Sequence, residues 1–252
     1  MALLSVRGLQ KHFQGVAAVD GIDFDVQEGK LLALIGPNGA GKTTCFNMLN
    51  GQLKPNAGKV LLDGRDVTGL RPRAMWRAGV GRTFQITQTY GSMTVLENVQ
   101  VALMSHRGRL RSLVANVERL CAVEGMALLE RVGMAEQAQR GCGVLAYGDL
   151  KRVELAMALA NQPRLLLMDE PTAGMAPKER AALMSLTAEI VHERGVAVLF
   201  TEHDMDTVFR HANEVLVLNR GRIIASGPPE TVREDPQVRE VYLGSGRMYG
   251  VH

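Results

Sequence analysis

The stretch GPNGAGKTT, Gly36 to Thr44, has the residue types and spacing to hold a polyphosphate. It fits the pattern G-x-x-x-x-G-K-[ST]. Backbone N–H groups must point inward at a polyanion, and Gly36, Gly39 and Gly41 let the chain approach that closely. Pro37, Asn38 and Ala40 complete the loop. Lys42 is placed for the β- and γ-phosphates, Thr43 offers a hydroxyl to Mg²⁺, and Thr44 opens the following helix, whose N-terminus adds favourable partial charge. Glycine-rich turns often bind nothing, so context decides. Here an apolar strand, KLLALIG, leads in and a helical segment, KTTCFNMLNG, leads out.

A second stretch, LLLMDE, ends an apolar run on two acids. Asp169 is the candidate metal-side carboxylate, and Glu170 is placed to polarise an attacking water. Alone, an acidic strand end is a solvated surface feature; after a phosphate-binding loop it completes a site. A third stretch, LAYGDLKRVE, reads as a glycine-centred loop opening a helix. By itself it is either a phosphate-binding loop or an ordinary turn.

These residues need strands and helices to hold them. LLSVRGL, GIDFDV, KLLALIG and KVLLDG read as strands broken by turn residues. From about Met93 to Ala160 the strand signals nearly vanish. Thr94 and Glu97 form a capping-box pattern, with Val95, Val99 and Leu103 on one helical face. LRSLVANVERLCAVEGMALLERVG predicts a second helix, and Leu150, Val153, Met157 and Ala160 a buried face on a third. RLLLMD and VAVLF are nearly all-apolar, as strands of a covered parallel sheet are. PKERAALMSLTAEIVHERG is helical with Pro177 in its first turn, EVLVLNRGRIIASG is a hairpin, and TVREDPQVREVYLG is helical.

The expected fold class is α/β: a P-loop NTPase (RecA-like) core on a mostly parallel sheet, an N-terminal antiparallel β part, and an inserted helical subdomain. Residues 1–252 form a single domain, with 1–92 and 161–252 as its core and 93–160 as the insertion.

The chain has 252 residues and is 46% hydrophobic, enough for a sizeable core. Its net charge of +3 is too small to argue for nucleic acid. Cys45, Cys121 and Cys142 have neither paired nor metal-ligand spacing, the pattern of reduced thiols in a cytosolic protein. No signal peptide or membrane span is expected. The basic stretches RPRAMWRAGVGR and RGRLR read first as solvated faces, and Trp76 first as a packing residue.

GPNGAGKTT, GRTFQ, LAYGDLKRVELAMAL, LLLMDEPTAGMAP and FTEHDM stand in the order found in ABC-type ATP-binding subunits, and the resemblance covers essentially the whole chain. The single short insertion resembles transporter ATPases rather than chromosome-maintenance ones. NGAGKTT with a following FN, RTFQ, LAYGD with RVE, and the terminal DPQV with VYLG look like the ATP-binding subunit of branched-chain amino acid importers.

The resemblance implies ATP as substrate with Mg²⁺. It places Phe13 on adenine, Gln85 at the metal and water, Glu170 as general base, Asp169 at the metal and His203 at the γ-phosphate. It implies a head-to-tail dimer with a second ATP-binding subunit, identical or not. There each ATP meets one P-loop and the other subunit's Leu145, Ala146, Tyr147, Gly148 and Asp149. Ala146 stands where a hydroxyl would help bind phosphate. Ala176 stands where many family members carry an aspartate.

Transmembrane permease subunits are the implied partners, docking on the helical segment between Met93 and about Leu129. A periplasmic or extracellular solute-binding protein is linked indirectly, nucleic acid is not a partner, and the location is peripheral, on the cytoplasmic face of the membrane. Related importers carry urea, amides or aromatic acids. A soluble ABC ATPase acting on ribosomes or DNA would carry two cassettes or a long coiled coil. A small-molecule kinase would have no use for the LAYGD loop.

Overall fold

A computed structural model of the chain describes residues 2–83, 89–107 and 115–243. Strands β1 (Ala2–Phe13) and β2 (Val16–Gln27) form a long antiparallel hairpin. Strand β4 (Ala57–Leu62) pairs with the other edge of β1, and the two-residue β5 (Arg65–Asp66) closes this sheet in the order β2-β1-β4-β5. Alternation sorts its faces. Leu4, Val6, Leu9, Val19 and Val26 are fully buried, while Arg7 spans the outer face and donates to both carboxylate oxygens of Asp25 at 2.8 and 2.9 Å.

The second sheet has six strands in the order β10-β9-β3-β8-β7-β6. Strands β3 (Leu31–Ile35), β7 (Leu165–Asp169) and β8 (Ala197–Thr201) are buried at every position, which is why each reads as a continuous apolar run rather than an alternating one. They run parallel with β6 (Val80–Thr83) and β9 (Glu214–Asn219); β10 (Arg222–Gly227) returns antiparallel. The carboxyl ends of β3, β8 and β7 therefore lie side by side. An open α/β sheet places its ligands outside those ends.

Helix α1 (Lys42–Leu49) follows β3, and α2 (Pro72–Arg77) precedes β6. Between β6 and β7 stand α3 (Val95–His106), α4 (Ala115–Arg131) and α5 (Tyr147–Leu159). The Thr94–Glu97 capping box forms: Glu97 N donates to the Thr94 hydroxyl at 3.2 Å and Thr94 N to the Glu97 carboxylate at 2.7 Å. The fully buried Asn98 then ties three segments together. It accepts from Tyr90 N at 2.7 Å and donates to the carbonyls of Tyr90 and Thr94 and to Cys142 Sγ. Backbone bonds from Cys142 N to Met93 O and Gly143 N to Gly91 O complete that seam just ahead of α5.

Helix α6 (Pro177–Arg194) links β7 to β8, and α7 (Met205–His211) follows β8. The C-terminal segment is two short helices, α8 (Pro229–Glu234) and α9 (Pro236–Leu243), because Pro236 starts a new helix instead of continuing the old one. Sequence periodicity missed α2, α7 and the short β6. It also simplified α5. Val153 and Ala160 are buried as expected and Leu150 and Met157 partly so, but the helix is covered nearly all round, including a Lys151–Glu154 pair at 3.1 Å.

Candidate active site

The loop after β3 is shaped by close approach. A Cβ on Gly36, at φ +153, would stand 2.1 Å from the carbonyl oxygen of Leu218. One on Gly41, at φ +108, would stand 2.2 Å from that of Ala18. Only glycine fits these positions. The β9–β10 turn supports the loop from outside, with Gly221 N donating to Ala40 O at 2.9 Å.

Lys42 folds back across the loop and donates to Gly36 O at 2.6 Å and Pro37 O at 3.1 Å. Burial pushes its ammonium below the ordinary value of 10.5, and the Glu170 and Asp169 carboxylates oppose that shift. Its charge is thus held by two loop carbonyls with the Glu170 and Asp169 carboxylates near by. Gly39 to Thr44 line a cavity of about 290 Å³ together with Ala18, Asn38, Glu170 and His203. Pro37 borders a larger cavity of about 670 Å³, which shares Asn38, Gly39 and Ala40 with the first but contains neither Glu170 nor His203.

Asp169 ends β7, Glu170 follows it, and the histidine lies in the turn after β8. Glu170 Oε1 lies 2.7 Å from His203 Nε2. Asp169, 7% exposed, accepts from the Thr201 hydroxyl at 2.8 Å, and its other oxygen lies 4.0 Å from the Arg82 guanidinium. Glu170 has φ +48, a left-handed conformation costing an L-residue about 1–2 kcal/mol. Its amide donates to the same Thr201 hydroxyl at 3.0 Å. One threonine therefore sets both acids. Glu202, 4% exposed, accepts from the amide and hydroxyl of Thr172 and from His203 N.

The structure thus brings together Lys42, Thr43, Thr44, Asp169, Glu170 and His203. Leu145 to Asp149 lie ahead of and in the first turn of α5, outside that cavity. Ala146 occupies the N-cap with no side-chain cap, so the helix opens on backbone N–H groups alone. Gly148 is buried, and a Cβ there would meet the Glu179 carboxylate at 3.2–3.4 Å. Close packing against α6 leaves a larger residue here only what room the Glu179 side chain yields. Glu179 also accepts from Ala176 N at 3.4 Å, at the start of α6. Phe13 sits exposed at the end of β1, with the Lys11 ammonium 5.4 Å from its ring centroid, and Ala18 rather than Phe13 lines the cavity. Gln85 lies outside the described residues.

Sequence reasoning missed Thr201, Arg82, Glu202 and Tyr242. Tyr242, 7% exposed on α9, lies against the Gly36 backbone; burial pushes its hydroxyl up and that backbone contact opposes the shift. None of the four carries a local signature. Burial also pushes the Cys45 thiol up to about 12, behind the loop on α1. Trp76 packs edge-on to His106 at 6.3 Å and lines a groove of about 450 Å³ with Arg82, Tyr90, Val101 and Met157.

The sequence model of the family described as "ABC transporter" matches residues 19–173, and that of "Branched-chain amino acid ATP-binding cassette transporter" matches residues 222–247. The chain is 40% identical to the high-affinity branched-chain amino acid transport ATP-binding protein BraF of Pseudomonas aeruginosa, over 96% of this chain and 98% of the relative. It is 40% identical to LivG of Escherichia coli, with the same coverage. Among solved structures it resembles a nucleotide-free ATP-binding cassette from an ABC transporter, with TM-score 0.86, 30% identity and coverage of 96% of this chain and 99% of that one. An ABC transporter cassette in its ADP conformation gives TM-score 0.85, 29% identity and coverage of 97% and 99%.

Proposed function

Because the chain belongs to the ABC transporter ATP-binding family and is an ATPase of that family, we propose that it powers import of branched-chain amino acids through separate membrane subunits. The match over residues 222–247 and the names of its relatives support that cargo. The observation that carries the catalytic assignment is the cavity itself, where the loop Gly39–Thr44 faces a hydrogen-bonded Glu170–His203 pair.

In this reading the γ-phosphate takes the Lys42 ammonium from the loop carbonyls. Glu170 accepts a proton from the attacking water. His203 holds the Glu170 carboxylate in place and faces the phosphate. Phosphoryl transfer requires little more than this positioning and charge stabilisation. A hydroxyl and a carboxylate, Thr43 and a buried Asp169 whose orientation Thr201 fixes, fit the sparse protein ligation that Mg²⁺ prefers beside phosphates. When bound, Mg²⁺ neutralises charge on the phosphate oxygens.

A second copy or a related subunit completes each site with its residues Leu145–Asp149, in a head-to-tail dimer. Phe13 stacks on adenine, and Gln85 reaches the metal side. Membrane subunits dock in the groove lined by Trp76, Tyr90 and Val101 at the cytoplasmic face. A solute-binding protein delivers the cargo to those subunits. Among the described residues no helix is long and apolar enough to cross a membrane.

The Glu170→Gln variant is expected to keep ATP bound, hydrolyse it at least about 10²-fold more slowly and elute as a dimer with ATP and Mg²⁺. Wild-type turnover in this variant, or a monomer under those conditions, refutes the assignment. Co-purification of the membrane subunits followed by uptake of labelled leucine and urea tests the cargo.

A further inference from the structure

We infer that Glu202 is a positioning residue for hydrolysis, a tether joining the turn after Glu170 to the backbone of His203. The inference rests on the reading of Glu170 as the general base. Glu202 is a buried acid that the reaction itself does not use. Its Oε1 accepts from Thr172 N at 2.9 Å and from the Thr172 hydroxyl at 2.6 Å, and its Oε2 accepts from His203 N at 3.2 Å. Three donors from two loops thus converge on one carboxylate, a group with acceptors only.

The chain on either side explains the need for it. Glu170 is held at φ +48, which L-residues rarely adopt, and such a conformation persists only where the surroundings over-determine it. Thr201 accepts the Glu170 amide on one side. The next residue is Pro171, which has no N–H, so the first donor after Glu170 is Thr172 N. Thr172 is 1% exposed and Glu202 takes that donor. The turn beyond closes on itself, with Ala173 N donating to Glu170 O at 3.2 Å and Met175 N to Thr172 O at 3.1 Å.

Fixing Thr172 therefore fixes the exit of Glu170. Fixing His203 N fixes the residue whose imidazole meets the Glu170 carboxylate at 2.7 Å. The base and its histidine partner are joined twice, once by their side chains and once beneath, through Glu202.

Five variants test the two arms. Thr172→Val removes the hydroxyl arm alone, and Thr172→Ser keeps it. Glu202→Gln keeps an oxygen for Thr172 but turns an amide N–H₂ towards His203 N. Steady-state ATPase of the purified chain is the assay. Thr172→Val and Glu202→Gln are expected to lower kcat about 10-fold, and Glu202→Ala about 10²-fold, the cost of misplacing a reacting group by about an ångström. KM and fluorescent-ATP affinity stay within about threefold, because the loop at Gly36–Thr44 is untouched. Thr172→Ser retains wild-type kcat. The double variant Glu202→Ala/Thr172→Val is no slower than Glu202→Ala, since one tether is lost only once.

Unchanged kcat in Glu202→Ala overturns the proposal. So does a loss confined to KM, or a double variant whose losses multiply. Should Glu202→Ala fail to fold, Thr172→Val against Thr172→Ser decides, since that pair differs mainly in the hydroxyl. Wild-type turnover in Glu170→Gln would remove the base assignment and leave the tether to be judged by the non-additivity of the same double variant in urea unfolding.

Discussion

Replacing Thr201 with valine removes one hydroxyl and changes almost no volume. That hydroxyl donates to Asp169 at 2.8 Å and accepts from Glu170 N at 3.0 Å. A hydrogen bond to a charged group contributes about 1.5–3 kcal/mol, and a neutral one about 1 kcal/mol. Thr201 is 1% exposed and Asp169 7%, so little water can replace the lost donor. The sum is about 2.5–4 kcal/mol of stability. For a chain of this size each kcal/mol moves the midpoint by about 2–4 °C, so the Tm should fall by about 5–15 °C. Hydrolysis should fall about 10²-fold, since both acids lose their common anchor. Thermal melts and equilibrium urea unfolding, run beside ATPase assays, read both effects. A Tm drop under about 2 °C with full activity would show that the hydroxyl does not set these acids, and the account of Asp169 and Glu170 would fail with it.

Lys42→Ala should abolish tight nucleotide binding, measured with a fluorescent ATP. In the free protein, burial holds the Lys42 ammonium below 10.5. Stability therefore rises as pH climbs through that lowered value towards 10.5, where the unfolded chain still binds the proton and the folded one does not. Phosphate restores the charge, so ATP affinity should fall across the same alkaline window, and a flat profile would contradict this pairing. Gly148→Asp sets a carboxylate against Glu179; it should lose ATPase activity and about 1–3 kcal/mol of stability while the separate chain still binds nucleotide. Ala146→Ser adds an N-cap hydroxyl to α5 and should stabilise by about 1 kcal/mol, with ATPase activity kept and the ATP-bound dimer tightened in gel filtration; an abolished ATPase would show that the loop acts otherwise.

The loop Gly36–Thr44 was legible in the sequence because it is a local pattern, whose glycines Gly36 and Gly41 mark where the backbone passes close to Leu218 and Ala18. The same holds for β3, β7 and β8, whose unbroken apolar runs predict strands covered on both faces, and for the Thr94–Glu97 box, which closes within one helical turn. Thr201, Glu202 and Arg82 were not legible. Each acts on a residue brought beside it by sheet order, and serine, threonine or an acid at a strand end is common enough to mean nothing alone. The packing at Gly148 was not legible either, since the Glu179 carboxylate that crowds it comes from α6, 31 positions later. Helix α5 misled periodicity because Lys151 and Glu154 neutralise each other and are buried as a pair.

Cys45 gives the nucleotide loop a clock. It lies on α1, three residues beyond Lys42, and is 0% exposed. Its thiol is pushed up to about 12, so almost no thiolate forms while the helix is in place. A thiol reagent can modify it only during an opening that lifts α1 off the sheet. In a variant keeping Cys45 as its sole cysteine, the labelling rate divided by that of the unfolded chain is the fraction of time this segment spends open. A nucleotide that binds only the closed form should slow that rate by the factor 1 + [L]/Kd. One buried sulfur thus converts occupancy of the site into a rate, with no turnover required.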